Sequence, residues 1–194
     1  MVYYNLSQLG GRVPYITVPA TSNNYDEILH SPVRSPQDLC WGLLNELQDI
    51  TRLPEGGWRI TMETVKALRA EIALSLGYND EAGYLLRDCQ SDFSIAVEES
   101  SEPEMYRVFG ESLANYTPAK TALLLKEAGM EDTADKSALP DEWKTRKQDW
   151  GYWIMLKRTG QAQAVAGCEA YELRMPFPQS EINLLPALTQ NPGY

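Results

Sequence analysis

The sequence predicts a mainly α fold: a small helical bundle around an αα-hairpin, flanked by extended N- and C-terminal arms. Three observations carry this reading. Apolar residues recur at three- and four-residue steps over 61–76 and again over 80–97. Capping residues, prolines and glycines bracket such runs where helices start and stop. Prolines interrupt any periodicity at both ends of the chain. The 194 residues therefore divide into an extended arm 1–34, a helical core 35–174 and an extended arm 175–194.

In the first arm, Pro14, Pro19 and Pro32 punctuate the chain, and Val13, Tyr15, Ile16, Thr17 and Val18 suit one short strand. An arm of this kind, if ordered, has to lie on its own body or on a neighbour. The first strong helix begins at Ser35-Pro36-Gln37-Asp38: serine as N-cap, proline at N1, aspartate as capping-box partner. Leu39, Cys40, Leu43, Leu44, Leu47 and Ile50 form its apolar stripe. Pro54-Glu55-Gly56-Gly57 ends it, and Trp58 is expected to plug the junction with the hairpin.

The hairpin follows. Thr61 caps a helix from Thr61 to Leu76, with Glu63 in the first turn, where the macrodipole favours an acid. Val65, Leu68, Ile72 and Leu76 share one face. Gly77 stops that helix, and Asn79 is the expected N-cap of a second one, Asp80 to Val97. Ala82, Leu85, Leu86, Cys89, Phe93 and Ala96 give the second helix one apolar face. A hairpin of this size buries too little to offset the ordering of its own chain, so further elements or another subunit must cover it.

Beyond Val97, residues 98–104 read as an acidic loop and Met105 to Phe109 as a short strand. Thr117-Pro118 opens a helix carrying Ala122, Leu123, Leu124 and Leu125, which Gly129 closes. Residues 130–142 are polar and acidic. Two readings of the next segment stand side by side. One is a helix from Pro140 to Arg158, which Gly151 weakens. The other is a minor β-hairpin, Tyr152–Lys157 with Val165–Leu173, which the alanines after Gln161 weaken; the helix is preferred. Residues 176–194 return to an extended arm anchored by Ile182, Leu184 and Leu185.

Composition narrows function. A net charge of −10 argues against a general phosphate-backbone binder. No apolar run approaches the roughly twenty residues that span a bilayer, and Met-Val-Tyr-Tyr-Asn lacks the basic and apolar parts of a signal peptide. Three scattered cysteines suit a reduced, cytosolic setting, with Cys40 and Cys89 filling core gaps. His30, the single histidine, sits beside Ser31-Pro32, a poor platform for a nucleophile system. Glu63 and Glu71 lie eight residues apart on one helix, about 12 Å along its axis, too far for a glycosidase pair. Gly10-Gly11 and Gly56-Gly57 lack the lysine and strand-loop-helix context of phosphate loops. No catalytic residue, cofactor or metal is expected.

Lys144, Arg146, Lys147, Lys157 and Arg158 lie among Trp143, Trp150 and Trp153. Such a patch can grip a nucleic-acid strand by phosphate contacts and stacking. In an acidic chain, tryptophan anchors with a basic rim suit a subunit interface better. The candidate interface residues are therefore Trp143, Trp150, Trp153, Arg146 and Lys147, with Ile182, Leu184 and Leu185 in the second arm.

The stretch from Ser35 to Val97 resembles the head-to-tail adaptor (connector) proteins of short-tailed bacteriophages. The matching residues are Leu43, Leu44 and Leu47, then Gly57-Trp58, then Val65, Leu68, Ile72-Ala73 and Gly77, then Leu85, Leu86 and Phe93. They cover about a third of the chain. Family members usually begin with a helix, whereas this chain reads as beginning with an arm, and Met105 to Leu173 has no counterpart. The resemblance implies a structural virion protein, made in the host cytoplasm and located at the virion neck. It implies a homo-oligomeric ring, typically a dodecamer, built from closing head-to-tail contacts. Its implied partners are the portal protein, a tail or nozzle protein, and DNA passing through the channel without sequence-specific binding; no membrane is involved. The C-terminal arm would reach the portal or a neighbouring subunit. Two rival classes remain: a small acidic helical inhibitor that blocks a macromolecular partner, and an enzyme with a histidine-free site of Asp, Glu, Tyr and Arg.

Overall fold

The computed structural model describes residues 1–53, 62–87, 89, 118–130 and 150–194. The helices are α1 (Val2–Gly10), α2 (Tyr25–Leu29), α3 (Pro36–Gln48), α4 (Met62–Ser75), α5 (Asn79–Arg87), α6 (Pro118–Glu127), α7 (Trp150–Arg158), α8 (Ala162–Ala166) and α9 (Gln179–Leu184). A 3-10 turn spans Tyr171–Leu173. Two short strands, β1 (Val13–Pro14) and β2 (Val33–Arg34), pair antiparallel with Val13 opposite Arg34 and Pro14 opposite Val33. Among the described residues, no helix is long and apolar enough to cross a membrane. The protein is mainly helical with a minor antiparallel pair, as expected. The chain divides into two compact units: Met1–Gly42 with Lys147–Tyr194, and Leu43–Arg146. This cuts the chain differently from an arm–core–arm reading, because both chain ends belong to one unit.

The second unit is organised by the α4–α5 hairpin. Small residues let the two helices approach: Ala67, Ala70, Ala73 and Ala82 have no exposed surface, nor do Ile72 and Leu86. Gly77, at φ 79°, takes the left-handed position that ends α4. Its N–H bonds the Leu74 carbonyl at 3.1 Å, and the Tyr78 N–H bonds the Ala73 carbonyl at 2.9 Å. These two hydrogen bonds satisfy carbonyls that the helix end would leave orphaned. α6 ends the same way at Gly129. At the open end of the hairpin the Cys89 thiol donates to the carbonyls of Leu85 (3.2 Å) and Glu63 (3.6 Å), tying the exit of α5 to the first turn of α4. Arg69 and Glu81 add an ion pair at 3.7 Å across the two helices, partly solvated and so of small worth. Gly83 lies against the Met130 side chain, which occupies the place a Cβ would take.

The first unit shows where the expectations need correction. Residues 1–34 are not an extended arm: they contain α1, β1 and α2. Tyr3 on α1 does the work of a strand neighbour. Its hydroxyl donates to the Ile16 carbonyl (2.6 Å) and accepts from the Ile16 N–H (3.0 Å). Its ring meets Tyr15 edge-on at 4.8 Å, and Arg34 sits 5.0 Å from the Tyr15 ring centre. The expected strand thus shortens to Val13–Pro14, and its partner is Val33–Arg34. The hairpin of 152–157 with 165–173 gives way to α7, α8 and the 3-10 turn, in keeping with the helix reading over 150–158. Residues 175–194 are not uniformly extended, since they include α9.

Helix α3 starts where its cap predicts. The Asp38 N–H bonds Ser35 Oγ (3.1 Å), and that hydroxyl donates to the Asp38 carboxylate (2.6 Å). Asn79 opens α5 as its first helical residue rather than preceding it. Cys40 and Cys89 are buried, as expected. The junction at Trp58, the caps Thr61 and Thr117, the stripe beyond Cys89 with Phe93, the segment 98–116 and residues 131–149 lie outside the described residues.

The hairpin makes a paired stability prediction. Leu86→Ala removes a fully buried side chain and should cost about 2–5 kcal/mol. Tyr84→Ala, at a position 68% exposed on the same helix, should change stability by less than about 0.5 kcal/mol. Urea denaturation followed by circular dichroism compares them; equal effects would contradict the inward face described.

Candidate interaction surface

Of the candidate interface residues, Trp143, Arg146 and Lys147 lie outside the described residues, and Trp150 opens α7 with its side chain outside them. Trp153 is half-buried on α7. Ile182 and Leu185 are half-buried, and Leu184 is exposed. The structure therefore brings Ile182, Leu184 and Leu185 together at the last helix, and it keeps Leu184 available at the surface.

The two basic residues of α7 do not project as phosphate grips. Arg158 Nη1 donates to the Tyr4 hydroxyl at 2.6 Å, and Lys157 Nζ donates to the Gln8 carbonyl. Both hold α1 within the first unit. Periodicity does not predict this, because α1 buries Tyr4, Ser7 and Gly10, a face with a single large apolar side chain, while Val2 and Leu6 are exposed.

The last turn of α1 gathers the other contacts. A helix leaves its last four carbonyls without intrahelical partners. Here the first is met by the helix's own cap residue and the other three by donors from elsewhere in the chain. Ser7 O takes the Gly11 N–H at 3.0 Å, and Gln8 O takes Lys157. Leu9 O takes the Met175 N–H at 2.8 Å, and Gly10 O takes Asn191 Nδ2 at 2.7 Å. Asn191 is buried and bridges to the Met175 carbonyl as well, at 2.6 Å. Gln190 carries a matching clamp: its carboxamide oxygen accepts the Phe177 N–H and its nitrogen donates to the Phe177 carbonyl, both at 2.9 Å. Sequence reasoning missed Gly10, Gly11, Gln190 and Asn191. The available signal was the glycine pair closing a helix-length run, a C-terminal stop that the extended-arm reading passed over.

Beneath this turn, Gln8 Nε2 donates to Cys40 Sγ at 3.4 Å. Burial pushes the Cys40 thiol above its ordinary value, and contacts with Ser7, Gln8 and the charge of Arg158 offset this only in part. A thiol so placed stays protonated at neutral pH and is a poor nucleophile. His30 is exposed at the end of α2, where Nδ1–H donates to the Asp26 carbonyl at 2.8 Å, a local turn contact. Among the described residues, no group of three or more His, Cys, Asp or Glu is placed to hold a metal ion.

The exposed large apolar side chains are the remaining surface feature. Trp41 on α3 is 57% exposed, Tyr84 on α5 is 68% exposed, and Tyr78 in the hairpin turn is 43% exposed. Aromatic side chains left in solvent are the type that anchors protein interfaces. Comparison with protein-family models, with curated proteins and with solved structures finds no match to the chain.

Lys157 supplies a pH prediction. Burial, and then the nearby charge of Arg174, push it from 10.5 down to about 8. The dipole at the end of α1 favours an ammonium there, but desolvation is the larger effect. The fold thus disfavours the charged lysine. Between about pH 8 and 10.5 the unfolded chain holds a proton that the folded chain has released, so stability rises with pH through that window. The stability of the wild type minus that of Lys157→Met, from urea curves at several pH values, should increase from pH 8 to pH 10.5. A flat or falling difference would contradict the buried ammonium.

Proposed function

We propose that the chain is a structural virion protein: a head-to-tail adaptor that assembles as a ring beneath a portal and continues its DNA channel. One observation carries most of this reading. The α4–α5 hairpin is closed inward by small residues and carries Tyr78 and Tyr84 outward, exposed. Its aromatic side chains lie in solvent, where a partner could take them up. It occupies the stretch in which the resemblance to adaptor proteins lies, with Val65, Leu68, Ala73, Leu85 and Leu86 buried and Gly77 at the turn.

Two further features support it. The acidic surface, at net −10, suits a channel through which DNA slides without being held. The exposed Leu184 and half-buried Ile182 and Leu185 give the tail an apolar contact for the portal or a neighbouring subunit. In this reading the interfaces are side-chain patches on folded elements rather than long free arms.

Mass photometry of the purified chain, alone and mixed with the portal of the virus encoding it, tests the proposal. A closed ring, or a portal particle heavier by a ring's mass, is the expected outcome. A monomer that ignores the portal would overturn it, and binding of that monomer to a nuclease would favour the inhibitor class instead.

A further inference from the structure

The chain's last twenty residues are built like a ligand. Gln190 clamps Phe177 through both main-chain groups, as a paired strand would. The Tyr194 hydroxyl donates to the Arg174 carbonyl at 2.9 Å, and the Tyr194 ring meets Tyr171 edge-on at 5.2 Å. Within residues 175–194 the loop is closed by Gln190 on Phe177 and Asn191 on Met175, while Tyr194 ties it to Tyr171 and Arg174 just before it; such closure lowers the entropy cost of docking. Of residues 175–194, only Leu188 and Asn191 are buried, while Met175, Leu184 and Tyr194 are exposed. Few buried apolar contacts hold it down, which places it at the low-stability end of the unit.

Its contacts with α1 are specific and go largely to main chain. Met175 N–H reaches Leu9 O, and Asn191 reaches Gly10 O. The Phe177 ring covers Gly10, where a Cβ would lie 3.1 Å from Cε1. A Cβ on Gly11 would lie 3.1 Å from Asn191 Oδ1 and would be strained at φ 84°. Two adjacent glycines thus form a notch that any side chain would fill.

We propose that the Leu9–Gly10–Gly11 end of α1 is a peptide-recognition notch, occupied in cis by the chain's own residues 175–194 and open to a peptide of that sequence in trans. Recognition rests on the Asn191 carboxamide, whose single nitrogen bridges the carbonyls of Gly10 and Met175. The tail is a reversible strap, because tethering gives it an effective concentration that a free peptide must match. This stands whether or not the chain assembles on a portal.

The probe is a synthetic peptide of residues 175–194, acetylated so that the acetyl carbonyl replaces that of Arg174. It contains no lysine or arginine, so trypsin leaves it intact. In the full-length wild type, excess peptide should displace the strap and speed tryptic cleavage after Arg174 several-fold. The same peptide with Asn191→Ala should be at least roughly tenfold less potent. In a second arm, the fluorescent parent peptide should bind full-length Asn191→Ala protein, checked for native helical circular dichroism, more tightly than it binds wild type. Cleavage unaffected by the peptide, or equal potency of the two peptides, would overturn the proposal. If the Asn191→Ala protein fails to fold, the wild-type proteolysis arm decides alone.

Discussion

The first unit depends on the four carbonyls at the end of α1. A nine-residue helix is marginal by itself, and its last turn exposes acceptors that burial would leave unpaired. Ser7, Gln8, Leu9 and Gly10 each meet a donor, from Gly11, Lys157, Met175 and Asn191 in turn. Three of those donors lie about 150 residues or more along the chain, so closing one helix end brings the two chain termini into the same unit. The glycine pair at 10–11 follows from this, because donors arriving from outside need a backbone with no side chain in the way.

The second unit solves a different problem. Its hairpin is closed locally, by Gly77 at one end and the Cys89 thiol at the other, with alanines setting the helix spacing. Apart from the Cys89–Glu63 contact, which spans 26 residues, these closures lie within a turn of helix, so the hairpin stays close to what its residues imply one by one. Its outward tyrosines are then surplus to folding.

Legibility in the sequence follows that distinction. The Ser35 box, the Gly77 stop and the Gly129 stop all rest on interactions within a few residues, and each is where capping chemistry put it; of the two readings over 140–173, the helix from Pro140 to Arg158 agrees with the structure over its described part, Trp150–Arg158. Helix α1 was not legible. It has no side-chain cap and no acid in its first turn, and it buries Tyr4, Ser7 and Gly10 while exposing Val2 and Leu6. Its partners are tertiary, so local pattern pointed the wrong way. The same holds for β1 and β2, joined across the eighteen intervening residues 15–32. Among the candidate interface residues, Leu184 was legible as a surface apolar group. Lys157 and Arg158 were not legible as internal donors, because charge alone does not reveal a carbonyl or hydroxyl brought from the other end of the chain.

Amide hydrogen exchange at Met175 tests the central claim most directly. This N–H lies in a proline-flanked segment outside any helix, and the Leu9 carbonyl is its acceptor at 2.8 Å. The account predicts protection at Met175 far above that of an unstructured chain and below that of the α1 amides, since the tail opens more readily than the helix it caps. Exchange at the rate of an unstructured chain, with α1 still protected, would contradict it.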